Sequence, residues 1–225
     1  MVDGIEALEP EFYNRDTATV ARDLLGKLLV RATADGILVA RIVETEAYGQ
    51  EDPASHSFRG PTARSRVMFG PPGHAYVYLI YGMHHCLNAV TEEEGRGGAV
   101  LIRSGEPLIG LETMWKARFP GRPVQQLSRH VRELASGPGK LCQALEIRTG
   151  SENGVPLFDG AVKIARRIRT PVELGALESL ELVEDGRIGI SRATDKAWRF
   201  SVGGSRFVSR KPAADARHRH YVPER

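Results

Sequence analysis

Residues 28–48 read LLVRATADGILVARIVETEAY. Two aliphatic runs, 28–32 and 37–46, flank the turn sequence Ala34-Asp35-Gly36, so the stretch reads as a strand, a tight turn and a second strand. Alternation along 37–48 places Leu38, Ala40, Ile42, Glu44, Glu46 and Tyr48 on one face. Ile37, Val39, Val43 and Ala47 fall on the other, with Arg41 and Thr45 between them. Glu44 and Glu46 therefore share a face with aliphatic side chains and a ring. A carboxyl group there loses part of its hydration, which raises its pKa and suits a general acid or base. Parity does not choose between the two glutamates. The plainer alternative is that both emerge at a sheet edge and pair with arginines.

Upstream, Asp16 is placed to cap a helix over 17–28, in which Val20, Leu24 and Leu28 recur every four residues beside Ala21 and Leu25. Downstream, residues 49–73 are rich in glycine and proline and poor in aliphatics. That is a long loop, and long loops in compact domains usually carry function. Residues 74–80 and 84–90 form a second strand pair around a turn at Tyr81-Gly82, and 99–103 form a further strand. Pro107 is placed to start a helix in which Leu108, Leu111 and Trp115 share a face. Ser136-Gly137-Pro138-Gly139 precedes a helix at 139–146. From residue 155 onward short strands and glycine turns dominate, with one helix expected near 193–198. The run 173–185 has five acids and no Lys or Arg and reads as a solvated loop. With no repeat and no low-complexity linker, the expected class is α+β. One compact domain would span 1–225, with a core over about residues 10–210 and a basic C-terminal tail.

The chain has 225 residues, 41% hydrophobic and 26% charged, the composition of an ordinary globular protein. It lacks a run of about 18 apolar residues, so no membrane span is expected. The acidic start MVDGIEALEPEF has no apolar signal core. Cys86 and Cys142 are the only cysteines and read as buried free thiols in a reducing compartment. The expected location is the cytoplasm, on the nucleoid in a bacterium. The net charge of +3 hides an asymmetry: residues 1–48 carry nine acids and five Lys/Arg, whereas 187–225 carry ten Lys/Arg and three acids. A basic C-terminal portion fits a polyanionic partner, although a solvated tail gives the same composition.

Tyr76 and Tyr78 lie on one face of their strand, and Tyr48 could face them; such rings can sandwich a planar base. Tyr81 and Met83 are large apolar residues at a hairpin tip, where a wedge that fills a gap in a base stack would place them. A carboxylate, an aromatic pocket and a wedge together suit an enzyme that works on a base pulled out of duplex DNA. Arg64, Arg66 and Lys140 are candidate phosphate contacts. His84-His85-Cys86 does not read as a metal site, because neighbours in a strand point to opposite faces and no CxxC or HxxxH partner exists. No metal or cofactor is expected. A GxSxG elbow, a P-loop and a GxGxxG turn are all absent.

In these residues the chain resembles the alkyladenine (3-methyladenine) DNA glycosylases of the type also found in mammals. The resemblance lies in VARDLLGKLL, RIVETEAYGQEDPASHS, PTARSRVMF, YVYLIYGMHHCLN, AVLIRSGEPLIGLETM, SGPGKLCQAL and RIGISRATDKAWRF, in that order. It implies a single domain with a curved antiparallel sheet surrounded by helices, acting as a monomer without metal or cofactor. It implies a monofunctional enzyme, with no lyase activity, that excises alkylated or deaminated purines from double-stranded DNA. Lesions resembling 3-methyladenine, hypoxanthine and ethenoadenine would be released by a Glu-activated water, leaving an abasic site. Carried over residue by residue, Glu46 matches the general base. Arg103 and the backbone carbonyl of Ile190 match the groups that position the water. Tyr48, His56 and Tyr78 match the pocket walls, with Ala54 and His56 at the edge of the base. Asn88 matches the residue opposing the amine of normal guanine. Tyr81 matches the intercalating wedge and Met83 its neighbour. The chain departs from the family at His84 and His85, where relatives often carry two aromatics, and its loop between Tyr48 and His56 is slightly shorter than in mammalian members. Two rival readings are a non-catalytic nucleic-acid-binding module and a hydrolase of nucleosides or small glycosides.

Overall fold

A computed structural model describes residues 4–167 and 179–224. Among these residues ten strands form one sheet, with every pairing antiparallel. They are β1 (Ile5–Ala7), β2 (Leu28–Thr33), β3 (Gly36–Tyr48), β4 (Ala75–Ile80), β5 (His84–Val90), β6 (Ala99–Ile109), β7 (Val162–Arg167), β8 (Leu180–Asp185), β9 (Arg199–Val202) and β10 (Arg217–Tyr221). The helices are α1 (Pro10–Tyr13), α2 (Thr17–Asp23), α3 (Leu111–Arg118), α4 (Leu127–His130), α5 (Pro138–Ala144) and α6 (Thr149–Glu152). The main path runs β1-β7-β2-β3-β6-β5-β4, and a branch β9-β8-β10 leaves from β3. This is the α+β class expected from the sequence.

The hairpin of residues 28–48 forms as expected. Leu29 pairs with Ala40, Val30 with Val39, and Thr33 with Gly36 across the turn. The face assignment beyond Ile42 needs correction. Ile42 pairs with Gly105 but Glu44 with Ser104, so Val43 is an extra residue on β3; Thr45 then pairs with Ile102, so Arg103 is an extra residue on β6. A bulge shifts side-chain parity by one. Leu38, Ala40 and Ile42 enter the main core, and past the bulge Ala47 takes that side. Thr45 joins it there, donating its hydroxyl to the Ala21 carbonyl of α2 at 2.7 Å. Glu44, Glu46 and Tyr48 are thereby turned away from the face that holds Ile42.

Other expectations also give way. Pro107 lies inside β6 opposite Ala40 rather than starting a helix. β5 covers only Ala99–Leu101 of β6, so residue 107 lies beyond that pairing and beside a register shift, where proline is tolerated. α3 starts instead at Leu111, after Gly110 at φ 80°, where a Cβ would sit 2.3 Å from a Leu38 methyl. Asp16 caps α2 through the Thr19 N–H at 2.8 Å, but the helix stops at Asp23. Gly26 at φ 82° turns the chain, and the Gly26 N–H and Lys27 carbonyl clip onto Ile42. No helix forms near 193–198, because the Trp198 carbonyl accepts from the Ala47 N–H and ties that segment to the end of β3. Of the acidic run, residues 173–178 fall outside the described residues, while Leu180 and Leu182 alternate inward along β8 and make it a strand.

The core lies against one face of the sheet, where Val20, Leu24, Met114, Trp115, Leu141 and Ile102 are buried together. Burying a side chain of this size contributes about 1.5–3 kcal/mol. On the opposite face of β4, β5 and β6, Met68, Tyr76, Val90 and Ala99 form a smaller buried cluster, and beside it lies the site. No helix among the described residues is long and apolar enough to cross a membrane.

Candidate active site

Alternation along three strands builds a cavity. Ala75 and Val77, Leu87 and Ala89, and Val100 and Ile102 point into the core. Their neighbours Tyr76 and Tyr78 on β4, Cys86 and Asn88 on β5, and Leu101 and Arg103 on β6 line a cavity of about 580 Å³. Tyr48 at the end of β3 and Ala54 and His56 on the following loop add a wall, and Ile188 and Ile190 add another. The tilted rings of Tyr76 and Tyr78 lie 5.4 Å apart, and His56 stands edge-on to Tyr78 at 4.8 Å. His56 Nδ1 is 3.0 Å from the Tyr76 hydroxyl. Burial, and then the charge of Arg64, push the His56 pKa down, which favours the neutral ring. Asn88 donates its amide N–H to the Tyr76 carbonyl at 2.8 Å and so is held in one orientation.

Glu46 has no solvent exposure and is not itself part of the cavity lining, but it bonds to three residues that are, Tyr48, Arg103 and Ile188. One carboxylate oxygen accepts from the Ile188 N–H at 2.7 Å. The other accepts from the Tyr48 hydroxyl at 2.7 Å and from Arg103 Nη1 at 3.1 Å. Burial raises the Glu46 pKa above the usual carboxylate value, and Arg103, the Ile188 N–H and the Tyr48 hydroxyl oppose that rise. Arg103 Nε makes no hydrogen bond but lies 3.7 Å from a Glu44 oxygen, so the guanidinium pairs with both glutamates. Glu44 is as buried as Glu46 but differently engaged. It accepts from Arg199 at 2.9 Å and from the Ser209 N–H at 2.7 Å, so its oxygens serve to tie the C-terminal segment to β3. The bulge turns both glutamates to the same face, and Arg103 reaches both. What distinguishes them is that Glu46 also bonds to the cavity-lining Tyr48 and Ile188, whereas Glu44 bonds to Arg199 and Ser209.

The hairpin between β4 and β5 stands at the cavity mouth. The Met83 N–H returns to the Ile80 carbonyl at 3.3 Å, with Tyr81 at φ 53° and Gly82 at φ 69° between them. Tyr81 lines the cavity rim and is 86% exposed; Met83 is 69% exposed and stands outside the lining. A left-handed conformation strains a residue that has a side chain. His84 and His85 turn to different partners, consistent with strand alternation. A Cβ on Gly139 would come within 3.1 Å of His84, so glycine there lets the hairpin lie close on α5. His85 Nδ1 accepts from the Thr149 N–H at 3.2 Å. Among the described residues no three or more His, Cys, Asp or Glu side chains gather into a metal-binding group.

The basic candidates divide. Lys140 is exposed and lines the cavity with Gly137, Pro138 and Arg118. Arg64 is not a free surface charge: its guanidinium stacks 4.9 Å from the Tyr78 ring and donates to the Leu79 carbonyl at 3.3 Å. Arg66 is exposed in a short 3₁₀ turn away from the cavity. The sequence reading missed Arg118, the Ile188 N–H and the pair Arg187–Asp52. A backbone donor leaves no trace in residue type, and 135 positions separate Arg187 from Asp52.

Residues 11–206 match the family model for methylpurine-DNA glycosylase (MPG). A protein of Methanoculleus marisnigri is 50% identical over 204 residues, covering 91% of this chain and 99% of its own. A protein of Alkaliphilus oremlandii is 45% identical over 210 residues, covering 91% and 99%. One from Rhodopseudomonas palustris is 48% identical over 199 residues, covering 88% and 86%. All three bear the name "Putative 3-methyladenine DNA glycosylase". The chain thus falls among DNA glycosylases by its sequence. It belongs to the methylpurine-DNA glycosylase family.

Proposed function

We propose that this protein is a monofunctional base-excision-repair glycosylase that flips alkylated or deaminated purines out of duplex DNA and hydrolyses their N-glycosidic bond. The observation that carries this reading is the buried Glu46 carboxylate, held by Tyr48, Arg103 and Ile188 beside an aromatic cavity whose rim bears the exposed Tyr81. Family membership and the names of the relatives support it.

In this mechanism Tyr81 enters the stack in place of the lesion, with Met83 beside it. The flipped base lies between Tyr48 and the His56/Tyr78 pair, with Ala54 at its edge and Asn88 opposing the amine of guanine. Flipping costs a few kcal/mol and least for a damaged base, which is one source of selection. Glu46, ionised, accepts a proton from a water that Arg103 and the Ile190 carbonyl orient. The water oxygen bonds to C1′ as the glycosidic bond breaks, and that bond's electron pair leaves with the purine. General-base help of this kind contributes about 10²–10⁴-fold, and the anion stabilises positive charge developing on the sugar. Arg103 lines the cavity and bonds to Glu46, which supports its role in holding the water beside that carboxylate. Lys140 in the cavity lining is assigned to a phosphate contact, and no residue bonded to Glu46 carries an amine, so an abasic site in an uncut strand is the proposed product.

Lys140 and the arginines Arg64 and Arg66 are proposed phosphate contacts, with the stacked Arg64 serving the Tyr78 wall as well. One chain supplies the whole pocket, so a monomer acting on cytoplasmic or nucleoid DNA is proposed. The test is free-base release from a lesion-bearing duplex compared with the corresponding free nucleoside. Release from the duplex alone is expected. A nucleic-acid-binding module would release nothing, and a nucleoside hydrolase would prefer the nucleoside.

A further inference from the structure

Behind the Tyr48 wall lies a buried ion pair that the mechanism above does not use. The side chains of Arg187 and Asp52 are both fully shielded from solvent. Arg187 donates through Nη1 to Asp52 and to the Ala47 carbonyl at 2.9 Å, and through Nη2 to Asp52 at 3.0 Å. Asp52 in turn accepts from the Ala54 N–H at 3.1 Å. The pair therefore joins the end of β3, the loop that carries Ala54 and His56, and the segment that carries Ile188.

The placement of the cation is the telling feature. The Arg187 guanidinium carbon lies 4.8 Å from the Tyr48 ring centroid and 5.4 Å from that of Trp198. Tyr48 lines the cavity and Arg187 does not, so the ring has a cation behind it and the cavity in front. Burial and the neighbouring Glu46 push the Tyr48 hydroxyl pKa up, and Arg187 is the charge that opposes them. The ring therefore faces the positive end of the ion pair. An aromatic face attracts a cation through its electron density. A cation already held on the inner side draws on that density and repels a second cation across the ring. A neutral base in the cavity meets no such opposition and still stacks.

We propose that Arg187 is a specificity-determining residue that lowers the pocket's preference for positively charged purines and so keeps neutral purines within its range. This rests on the glycosylase reading, in which the flipped base stacks on Tyr48. It goes beyond that reading by assigning the balance between two substrate classes to a residue that touches neither. A cationic alkylpurine is already the better leaving group, so without this correction the enzyme would favour it more strongly.

The test compares single-turnover excision, at subsaturating enzyme, of 7-methylguanine (a cation) and hypoxanthine (neutral) from matched duplexes. Replacing the whole pair, Asp52→Asn with Arg187→Gln, removes the cation without leaving a buried charge unpaired. It should raise the 7-methylguanine to hypoxanthine ratio by about three- to tenfold, the scale of one cation–π contact. Asp52→Asn alone leaves Arg187 without its counter-charge and should move the ratio the opposite way. Arg187→Lys keeps the charge and should hold the ratio within about twofold of the parent, on the same scale. A purely structural clamp would slow both substrates together, so unchanged ratios in the double and Asp52→Asn variants overturn the proposal. If the double variant does not fold, the sign of the Asp52→Asn shift decides. A parent protein that releases neither base would instead remove the glycosylase reading.

Discussion

Replacing Arg103 with methionine removes the cation that opposes protonation of Glu46 while keeping a long side chain in its place. The geometry sets the size of the effect. Arg103 Nη1 lies 3.1 Å from the carboxylate oxygen, and both side chains are buried, at 8% and 0% exposure. Two unit charges about 4 Å apart attract by about 4 kcal/mol at an effective dielectric of 20, equivalent to about three pKa units. Measured shifts for a carboxylate beside an arginine are about one to three units. Burial already places the Glu46 pKa above the ordinary 4.5, and losing Arg103 raises it further. A general base works only when ionised. The acid limb of the rate profile in the parent should therefore lie above the usual carboxylate range, and in Arg103→Met it should move up by about one to three pH units. The assay is single-turnover base release from a lesion duplex across pH. Activity lost near neutrality should return as pH rises, apart from the share of the plateau that Arg103 supplies by holding water. An acid limb that stays in place while the whole profile falls would refute the coupling between these two groups.

Tyr81→Gly should separate stability from recognition. Glycine adopts the φ 53° conformation of residue 81 without strain, so the melting temperature should hold or rise slightly, while affinity for lesion duplex falls. Unchanged lesion affinity, measured by fluorescence anisotropy, would remove Tyr81 from the wedge role. Gly97→Ala places a Cβ 2.5 Å from Ser57 and 2.7 Å from the Phe69 ring. Overpacking of this kind costs about 1–3 kcal/mol, visible in denaturant unfolding, and it should displace the loop of Ala54 and His56 enough to slow excision as well. Binding to duplex DNA should weaken steeply with salt, with a log–log slope near −0.9 per phosphate contacted. A flat dependence would mean that the basic side chains do not meet the backbone.

What was legible in the sequence was local. The hairpin at 28–48 and the strand pair around Tyr81-Gly82 were readable because alternation and turn residues are short-range signals. The same alternation put Tyr76 and Tyr78 on one face of their strand, and there it held; Cys86 and Asn88 join them in the cavity from β5. It failed along β3, because the bulge at Val43 is specified by pairing with β6, about 60 residues away, and not by residue type. Alternation alone put Glu46 with Ile42, yet the two face opposite sides of the sheet. Pro107 misled for a related reason: proline signals a helix start, but the strand ran through it where β5 no longer pairs. Trp198 is held by the Ala47 N–H, a contact over 151 positions that overrides any local helical tendency. The family motif RIGI pointed to Ile190, while the structure adds the Ile188 N–H on Glu46 and Arg187 behind Tyr48.

Everything proposed for catalysis passes through Glu46, whose carboxylate accepts from Tyr48, Arg103 and the Ile188 N–H with no exposure to bulk solvent. The most direct measurement is single-turnover release of an alkylated purine from duplex DNA by Glu46→Gln, with lesion binding measured on the same preparation. The expected result is binding close to that of the parent with base release reduced at least about 10²-fold, the low end of what a general base contributes. Release above roughly one per cent of the parent rate, by protein that binds the lesion normally, would contradict it.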